Sequence, residues 1–258
     1  MIRIAHLSDI HFGDENAEAL AAATAWINAQ SLDLIIVSGD LTRFGERREF
    51  AAARAWIDSL RGPRLIAPGN HDTPYFGWIE RLISPFGRYE KAIGPAEAVT
   101  WSGPRLAVYG LNTARGIQPR ANWSKGQISA RQVDAALAWF ARAPVGAARL
   151  LVCHHPLTEL IGGPMTGRVW GGRRAAERLA AAGVECVLSG HVHVPFVLPY
   201  PFAERSVAIG AGTLSVRERG CPASFNVIEI DPTELRVVAQ GWTGQDFTPW
   251  RSWGHSRI

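Results

Sequence analysis

Val187-Leu188-Ser189-Gly190-His191-Val192-His193 decides the fold. An apolar run, Val184 to Leu188, stops at a glycine, and two histidines follow one residue apart. The run reads as a buried strand. Alternate positions on an extended segment point the same way, so the spacing predicts two imidazoles aimed at one point past the strand's carboxyl end. Gly190 lets the chain turn there without steric cost. A single histidine in such a place is usually a satisfied core or surface residue; a pair gains meaning when other strands end the same way.

Other strands do. Residues 2–7 read as a strand that runs into Ser8-Asp9-Ile10-His11-Phe12-Gly13. An alanine-rich helix is predicted over Asn16 to Gln30, with Asn16 able to cap it. Leu32 to Val37 reads as a buried strand running into Ser38-Gly39-Asp40-Leu41-Thr42. A second amphipathic helix spans Glu46 to Leu60, and Arg64 to Ala67 is a strand running into Pro68-Gly69-Asn70-His71-Asp72. Strands alternating with helices predict a sheet covered by helices, with ligands bound at the strands' carboxyl edge.

Residues 73–103 predict a loop region with one helix around Phe76–Leu82. Arg105 to Leu111 is a strand that ends at Asn112, and 113–125 is a long polar loop over the same edge. A helix follows over Gln127 to Arg142. Arg149 to Cys153 is a strand ending at His154-His155-Pro156. The glycine-rich segment 157–172 reads as a lid, and Arg173 to Ala182 as a helix. Ser206–Gly210, Ser224–Ile230 and Glu234–Gln240 predict a closing β-meander, and a tail from Trp242 carries three tryptophans. With no internal repeat and no long linker, residues 1–258 read as one domain, 242–258 being a Trp-rich C-terminal tail.

Composition narrows the function classes. Hydrophobic residues make up 47% and charged residues 19% of the 258, a globular balance. No apolar run reaches the ~18 residues of a membrane helix. The N-terminus opens directly as a strand, with no basic region or cleavage site. Three scattered cysteines form no disulfide framework, which predicts a reducing, cytoplasmic setting. The net charge is +4. Almost all the cations are arginines, which suit phosphate-bearing ligands. Without a lysine-rich tail or a basic stripe, a nucleic-acid polymer is not expected as a partner.

Collected from the strand ends, the polar set is Asp9, His11, Asp40, Asn70, His71, His154, His155, His191 and His193, which takes six of the eight histidines. Carboxylate, carboxamide and imidazole donors without thiolate suit Mn, Fe or Zn. The set is too large for one ion and about right for two, with Asp40 the natural bridge. Two ions ~3.5–4 Å apart stabilise both the attacking and the leaving oxygen of a phosphoryl displacement.

In order along the chain, D-x-H (9–11), G-D (39–40), G-N-H-D (69–72), H-H-P (154–156) and G-H-x-H (190–193) resemble the calcineurin-like metallophosphoesterase superfamily. The likeness extends to Gly212-Thr213 and Arg217-x-Arg219-Gly220. The nearest group is the class III cyclic-nucleotide phosphodiesterase-like proteins, and no motif position departs from the family pattern.

The resemblance implies an α/β fold, an αββα sandwich of two mixed β-sheets flanked by helices. It implies one metal ion held by Asp9, His11, Asp40 and His193, and a second by Asp40, Asn70, His154 and His191. His71 is the implied non-ligand catalytic histidine, which stabilises the phosphoryl oxygens or protonates the leaving alkoxide; Asp72 is expected to orient it. Asn112, His155, Arg217 and Arg219 are candidates for substrate contact. Arg115, Arg120, Trp123, Arg168 and Trp170, in loops near the site, are candidates to clamp a phosphate and stack a base.

The implied activity is hydrolysis of small phosphate esters by attack of a metal-bound hydroxide, phosphodiesters such as cyclic nucleotides foremost. The alternatives are a phosphomonoesterase or protein phosphatase using the same site, and a catalytically silent scaffold such as the retromer subunit of this superfamily. A nuclease would call for an added nucleic-acid-binding domain.

Overall fold

The apolar runs that end in polar motifs form the middle of two six-stranded sheets. The computed structural model describes residues 1–159 and 168–257. In the first sheet β1 (Ile2–Leu7), β2 (Leu34–Ser38) and β3 (Arg64–Ala67) run parallel, joined through α1 (Ala17–Asn28) and α2 (Arg47–Ser59). Parallel neighbours need such crossovers, which carry the chain back to the starting edge. On the other side of β1 the sheet continues antiparallel through β10 (Ser224–Ile230), β11 (Glu234–Trp242) and β12 (Phe247–Ser256).

The second sheet has four parallel central strands: β5 (Leu106–Leu111), β6 (Ala148–Val152), β7 (Cys186–Ser189) and β9 (Ala203–Gly210). Its edges are the antiparallel β4 (Ala98–Ser102) and β8 (Phe196–Tyr200). Helices α5 (Ala130–Phe140) and α6 (Gly172–Ala181) make the crossovers, and the short α3 (Trp78–Ile83) and α4 (Gly87–Ala92) precede β4.

Strand alternation sorts the apolar side chains into three cores. Ile4, Leu34 and Ile36 of the first sheet meet Val108, Leu150 and Ile209 of the second between the sheets. Their neighbours Ala5, Leu7 and Ile35 face outward onto Leu20 and Ile27 of α1 and Phe50 of α2. In the second sheet Tyr109 and Leu151 face Val133 of α5 and Leu179 of α6. Strands buried on both faces carry continuous apolar sequence, which is why LIIVS and LAVYGL show no polar alternation. The result is helix, sheet, sheet, helix, the expected αββα sandwich.

Three expectations need correction, and a fourth lies outside the described residues. The closing meander is split: β9 lies beside β7, with Cys186 opposite Val207, whereas β10 pairs with β1, with Ile4 opposite Ile228. The tail from Trp242 is largely a strand, β12, which pairs with β11. Residues 73–103 hold two helices and a strand, and β8 was not anticipated. The proposed lid over 157–172 falls largely on 160–167, outside the described residues.

Candidate metal centre

Each proposed ligand stands where the chain leaves a sheet: Asp9 and His11 after β1, Asp40 after β2, Asn70 after β3, His154 after β6, His191 and His193 after β7. Backbone bonds lock these loops together. The Asp9 N–H donates to the Gly39 carbonyl and the His11 N–H to the Asp40 carbonyl, each at 3.0 Å, and the Gly190 N–H donates to the His154 carbonyl at 2.9 Å. The Thr213 hydroxyl holds the Asp9 carbonyl at 2.6 Å.

Among the described residues, the only non-glycine side chains on left-handed backbone are five proposed ligands: Asp9, His11, Asp40, His191 and His193, with φ between 52° and 68°. Such a conformation costs roughly 1–2 kcal/mol per residue. It persists only where the surroundings over-determine it, and it clusters at functional sites. It also corrects the expectation of an extended His-x-His: Val192 N–H bonds back to the Gly190 carbonyl at 2.8 Å, so a tight turn aims the two rings. Glycine is required at this crowding. A Cβ on Gly190 would overlap the Ser8 hydroxyl and the Asp9 carboxylate, and one on Gly69 would overlap the Asp40 carboxylate.

Four imidazoles share one wiring. Nδ1 lies 3.3 Å from the Thr42 carbonyl in His11, 2.7 Å from Arg43 in His71, 2.9 Å from Ser38 in His154 and 2.8 Å from Arg217 in His193. A carbonyl only accepts, so Nδ1 carries the donated proton and a neutral ring keeps its lone pair on Nε2. The Nε2 atoms then face the carboxylates: His154 is 3.2 Å from Asp40 Oδ2, and His193 is 3.1 Å from Asp9 Oδ1. His11 Nε2 is 3.7 Å from Asp9 and 3.8 Å from Asp40. Donor atoms converge within 4.8 Å in overlapping groups: Asp9 with His11 and His193, Asp9 with Asp40 and His154, His11 with Asp40 and His71, and His154 with His155 and His191.

Electrostatics tests whether metal ions fit. Asp9 and Asp40 are buried, and among the described residues their ion-pair partners are all imidazoles. Burial pushes the Asp9 carboxyl up, but His193, His11 and His154 hold it well below the usual carboxylate range. Asp40 is likewise pulled down against burial, chiefly by His154 and His71. In return, burial lowers His154 but Asp40 drives it up to about 9. Burial pushes His191 down to about 3, with His154 adding to the effect. A buried cluster that draws protons onto its own imidazoles lacks positive charge. Asn70 Oδ1 is buried without a hydrogen-bond partner, and Asp9 Oδ1 and His154 Nε2 meet only the ion-pair partners just named. Mixed N/O donors, missing charge and orphaned lone pairs fit divalent ions.

Among the described residues Asp72 makes no hydrogen bond to the His71 ring. Its buried carboxylate accepts the N–H groups of Thr42 (2.9 Å) and Gly69 (2.8 Å) and the Thr42 hydroxyl (2.9 Å), so it braces the loops that carry Asp40 and Asn70. The Arg43 carbonyl is what orients His71.

Three of the four substrate candidates are engaged elsewhere in the fold. Both His155 nitrogens are engaged, Nδ1 with the Thr113 hydroxyl and Nε2 with the Ser124 carbonyl, each at 2.8 Å, so His155 anchors the 113–125 loop. Asn112 Oδ1 accepts the Ala114 N–H at 2.8 Å. Arg217 pairs with Asp14 at 3.1 Å, and its contribution to the centre is the carbonyl under His193. Arg219 is exposed.

Two of the three arginines proposed as a phosphate clamp hold loops instead, and the third, Arg168, is exposed. Arg115 binds the carbonyls of Asn112 and Ala114, while Arg120 binds those of Lys125 and Gly126 and covers the Trp170 ring at 4.4 Å.

Sequence reading missed a cavity of about 620 Å³ that opens beside the centre. Asn70 and His71 line it, together with Arg43, Tyr75, Trp78, Arg81 and Trp123. The available signal was the cluster of aromatics from Tyr75 to Trp78, directly after the Asn-His-Asp motif.

Comparison with known proteins bears on the family and the fold. The family model for calcineurin-like phosphoesterases matches residues 2–195. A probable cyclic nucleotide phosphodiesterase of Synechococcus sp. is 27% identical over 268 residues, covering 98% of this chain and 90% of the relative. The 3′,5′-cyclic adenosine monophosphate phosphodiesterase CpdA of Escherichia coli is 25% identical over 208 residues, covering 76% and 68%. Among solved structures, a dimetal phosphatase from Danio rerio aligns over 100% of this chain and 99% of that one, with a TM-score of 0.73 at 13% identity, a likeness of fold.

Proposed function

The chain belongs to the calcineurin-like phosphoesterase family and is a metal-dependent phosphoesterase; from that premise we propose that it hydrolyses small phosphodiesters, cyclic nucleotides among them. One ion is assigned to Asp9, His11, Asp40 and His193, and the other to Asp40, Asn70, His154 and His191. Mn, Fe or Zn, when bound there, supplies Lewis-acid charge to phosphoryl oxygens and acidifies water. Asp40 joins the two sets and also receives the His71 N–H at 2.8 Å, which ties the position of His71 to the centre. With Nδ1 held by the Arg43 carbonyl, the Nε2 of a protonated His71 is the atom that can donate to a phosphoryl oxygen or a leaving alkoxide. Residues 1–258 are taken as one catalytic domain.

The observation that carries the preference for diesters is the state of the cavity's cations. Arg43 is paired with Asp14 at 2.7 Å, and Arg81 binds the Gly116 carbonyl at 2.7 Å. A monoester carries one charge more than a diester and gains most from a free bidentate guanidinium. Asp14 meets the charge of Arg43, and a carbonyl leaves that of Arg81 unmet, so among the described lining residues one uncompensated cation faces the cavity, a match for the single charge of a diester. Measuring kcat/KM for bis-p-nitrophenyl phosphate and p-nitrophenyl phosphate with the same metal tests this. Preference for the diester is expected; a monoester preference of about tenfold or more would make the protein a phosphatase.

A further inference from the structure

Three exposed aromatic side chains, Tyr75, Trp78 and Trp123, line the His71 cavity, and further exposed apolar residues lie on the same two segments. Of the large hydrophobic residues exposed among the described residues, six lie between Tyr75 and Ile83, and Ile117 and Trp123 belong to the loop opposite. Trp78 is 70% and Ile83 76% exposed, and α3 buries none of its residues. Patches of this kind on a soluble chain mark contact with a partner or a membrane.

The two segments form one surface. Arg81 Nε donates to the Gly116 carbonyl at 2.7 Å, and a Cβ on Gly116 would overlap the Arg81 carbonyl and Pro85. Charge is concentrated on the same two segments. Residues 75–88 and 113–125 carry Arg81, Arg88, Arg115, Arg120 and Lys125 against a single acid, Glu80, a balance of +4. The whole chain is +4, so the rest of it is neutral.

We propose that this surface docks on anionic phospholipid bilayers, with the aromatic and aliphatic side chains in the headgroup layer and the cavity mouth facing lipid phosphates. Tryptophan and aliphatic side chains interleaved with cations are the composition of interfacial segments. Cations near a bilayer are drawn to acidic headgroups. A second copy of the chain fits poorly: a two-fold contact sets the same patch against itself, cation facing cation.

Vesicle co-sedimentation of the full chain tests the proposal without reference to catalysis. The probes are phosphatidylcholine vesicles with and without phosphatidylglycerol, and the variant is Ile79→Ser/Ile83→Ser, with circular dichroism melting to show that its fold is kept. Binding to the anionic vesicles is expected, with a blue shift of tryptophan fluorescence, loss on raising salt to about 0.5 M, and a drop of about tenfold or more in partitioning for the variant. Three results would each overturn it: no binding to anionic vesicles, binding that the double substitution leaves unchanged, or a solution dimer that the substitution dissociates.

Discussion

Asp40 Oδ2 lies 3.2 Å from His154 Nε2, a contact between two buried groups that arrive from different sheets. Asp40 follows β2 of the first sheet and His154 follows β6 of the second, so the charge balance of the centre depends on how the two sheets stack.

Asp40→Asn should dismantle that balance. In metal-free protein burial lowers His154 while Asp40 raises it to about 9; with the charge removed, the His154 titration should drop well below 9. The folded value lies above the unfolded one, so the pair's stabilisation is complete below about pH 6.5 and is lost as pH rises through 9. The wild-type apoprotein should therefore weaken across that window, and the variant should show a flatter profile. Metal analysis should show fewer than one ion per chain, and turnover should fall to background. Imidazole NMR of the two apoproteins decides; an unmoved His154 titration would remove Asp40 from this role.

His71→Ala should separate chemistry from metal binding. The ring is set by the Arg43 carbonyl, while its backbone N–H is what contacts Asp40, and alanine keeps that N–H. Metal content should stay near normal while kcat falls by roughly 10²–10⁴, the range for a general acid. Asn70→Ala, which removes an orphaned buried oxygen, should lose metal. Equal metal loss in the two variants would make His71 a ligand.

The centre was legible in sequence because each of its residues follows a parallel strand buried on both faces, and such strands announce themselves as apolar runs. The edges were not. β12 carries Pro249, and β8 carries Pro199, tolerated where no neighbour needs the missing N–H. β9 and β10 are both apolar, and local pattern holds nothing to send one beside β7 and the other beside β1; that choice rests on pairings more than a hundred residues apart for β10. Residue types suggested that Asp72 serves His71, since an acid next to a histidine often does. The bonds from Thr42 and Gly69 that occupy it come from segments brought together only by folding.

Asp72→Asn checks the bracing role. The carboxylate accepts from two strand-end loops, and an amide can present only one oxygen to those donors while its own N–H groups meet theirs. Leaving a buried donor unsatisfied costs about 1–3 kcal/mol, so the melting temperature should fall. Metal affinity should weaken by about 10–100-fold, the usual effect of losing support behind ligands. Calorimetric Mn titration and thermal melting are the measurements. A variant with native metal affinity and a reduced kcat alone would return Asp72 to direct service of His71.

The fully buried His6 of β1 gives a pH prediction that does not rest on a proposed ligand. Its Nε2 is 2.9 Å from the Ser38 hydroxyl, and its Nδ1 has no hydrogen-bond partner. Burial holds it down to about 3, with Asp9 opposing only in part. Between about pH 6.5 and 3 the unfolded chain therefore carries a proton on His6 that the folded chain refuses, so stability falls as pH falls through that range. His11, His155 and His191 are also lowered by burial and add to the wild-type slope. His6→Gln should remove one proton from it, a difference of about 1.4 kcal/mol per pH unit between the two proteins. Urea unfolding of metal-free wild type and variant from pH 6.5 downward measures this. Parallel slopes would mean that His6 is protonated inside the fold, and its place against Ser38 would have to open to water.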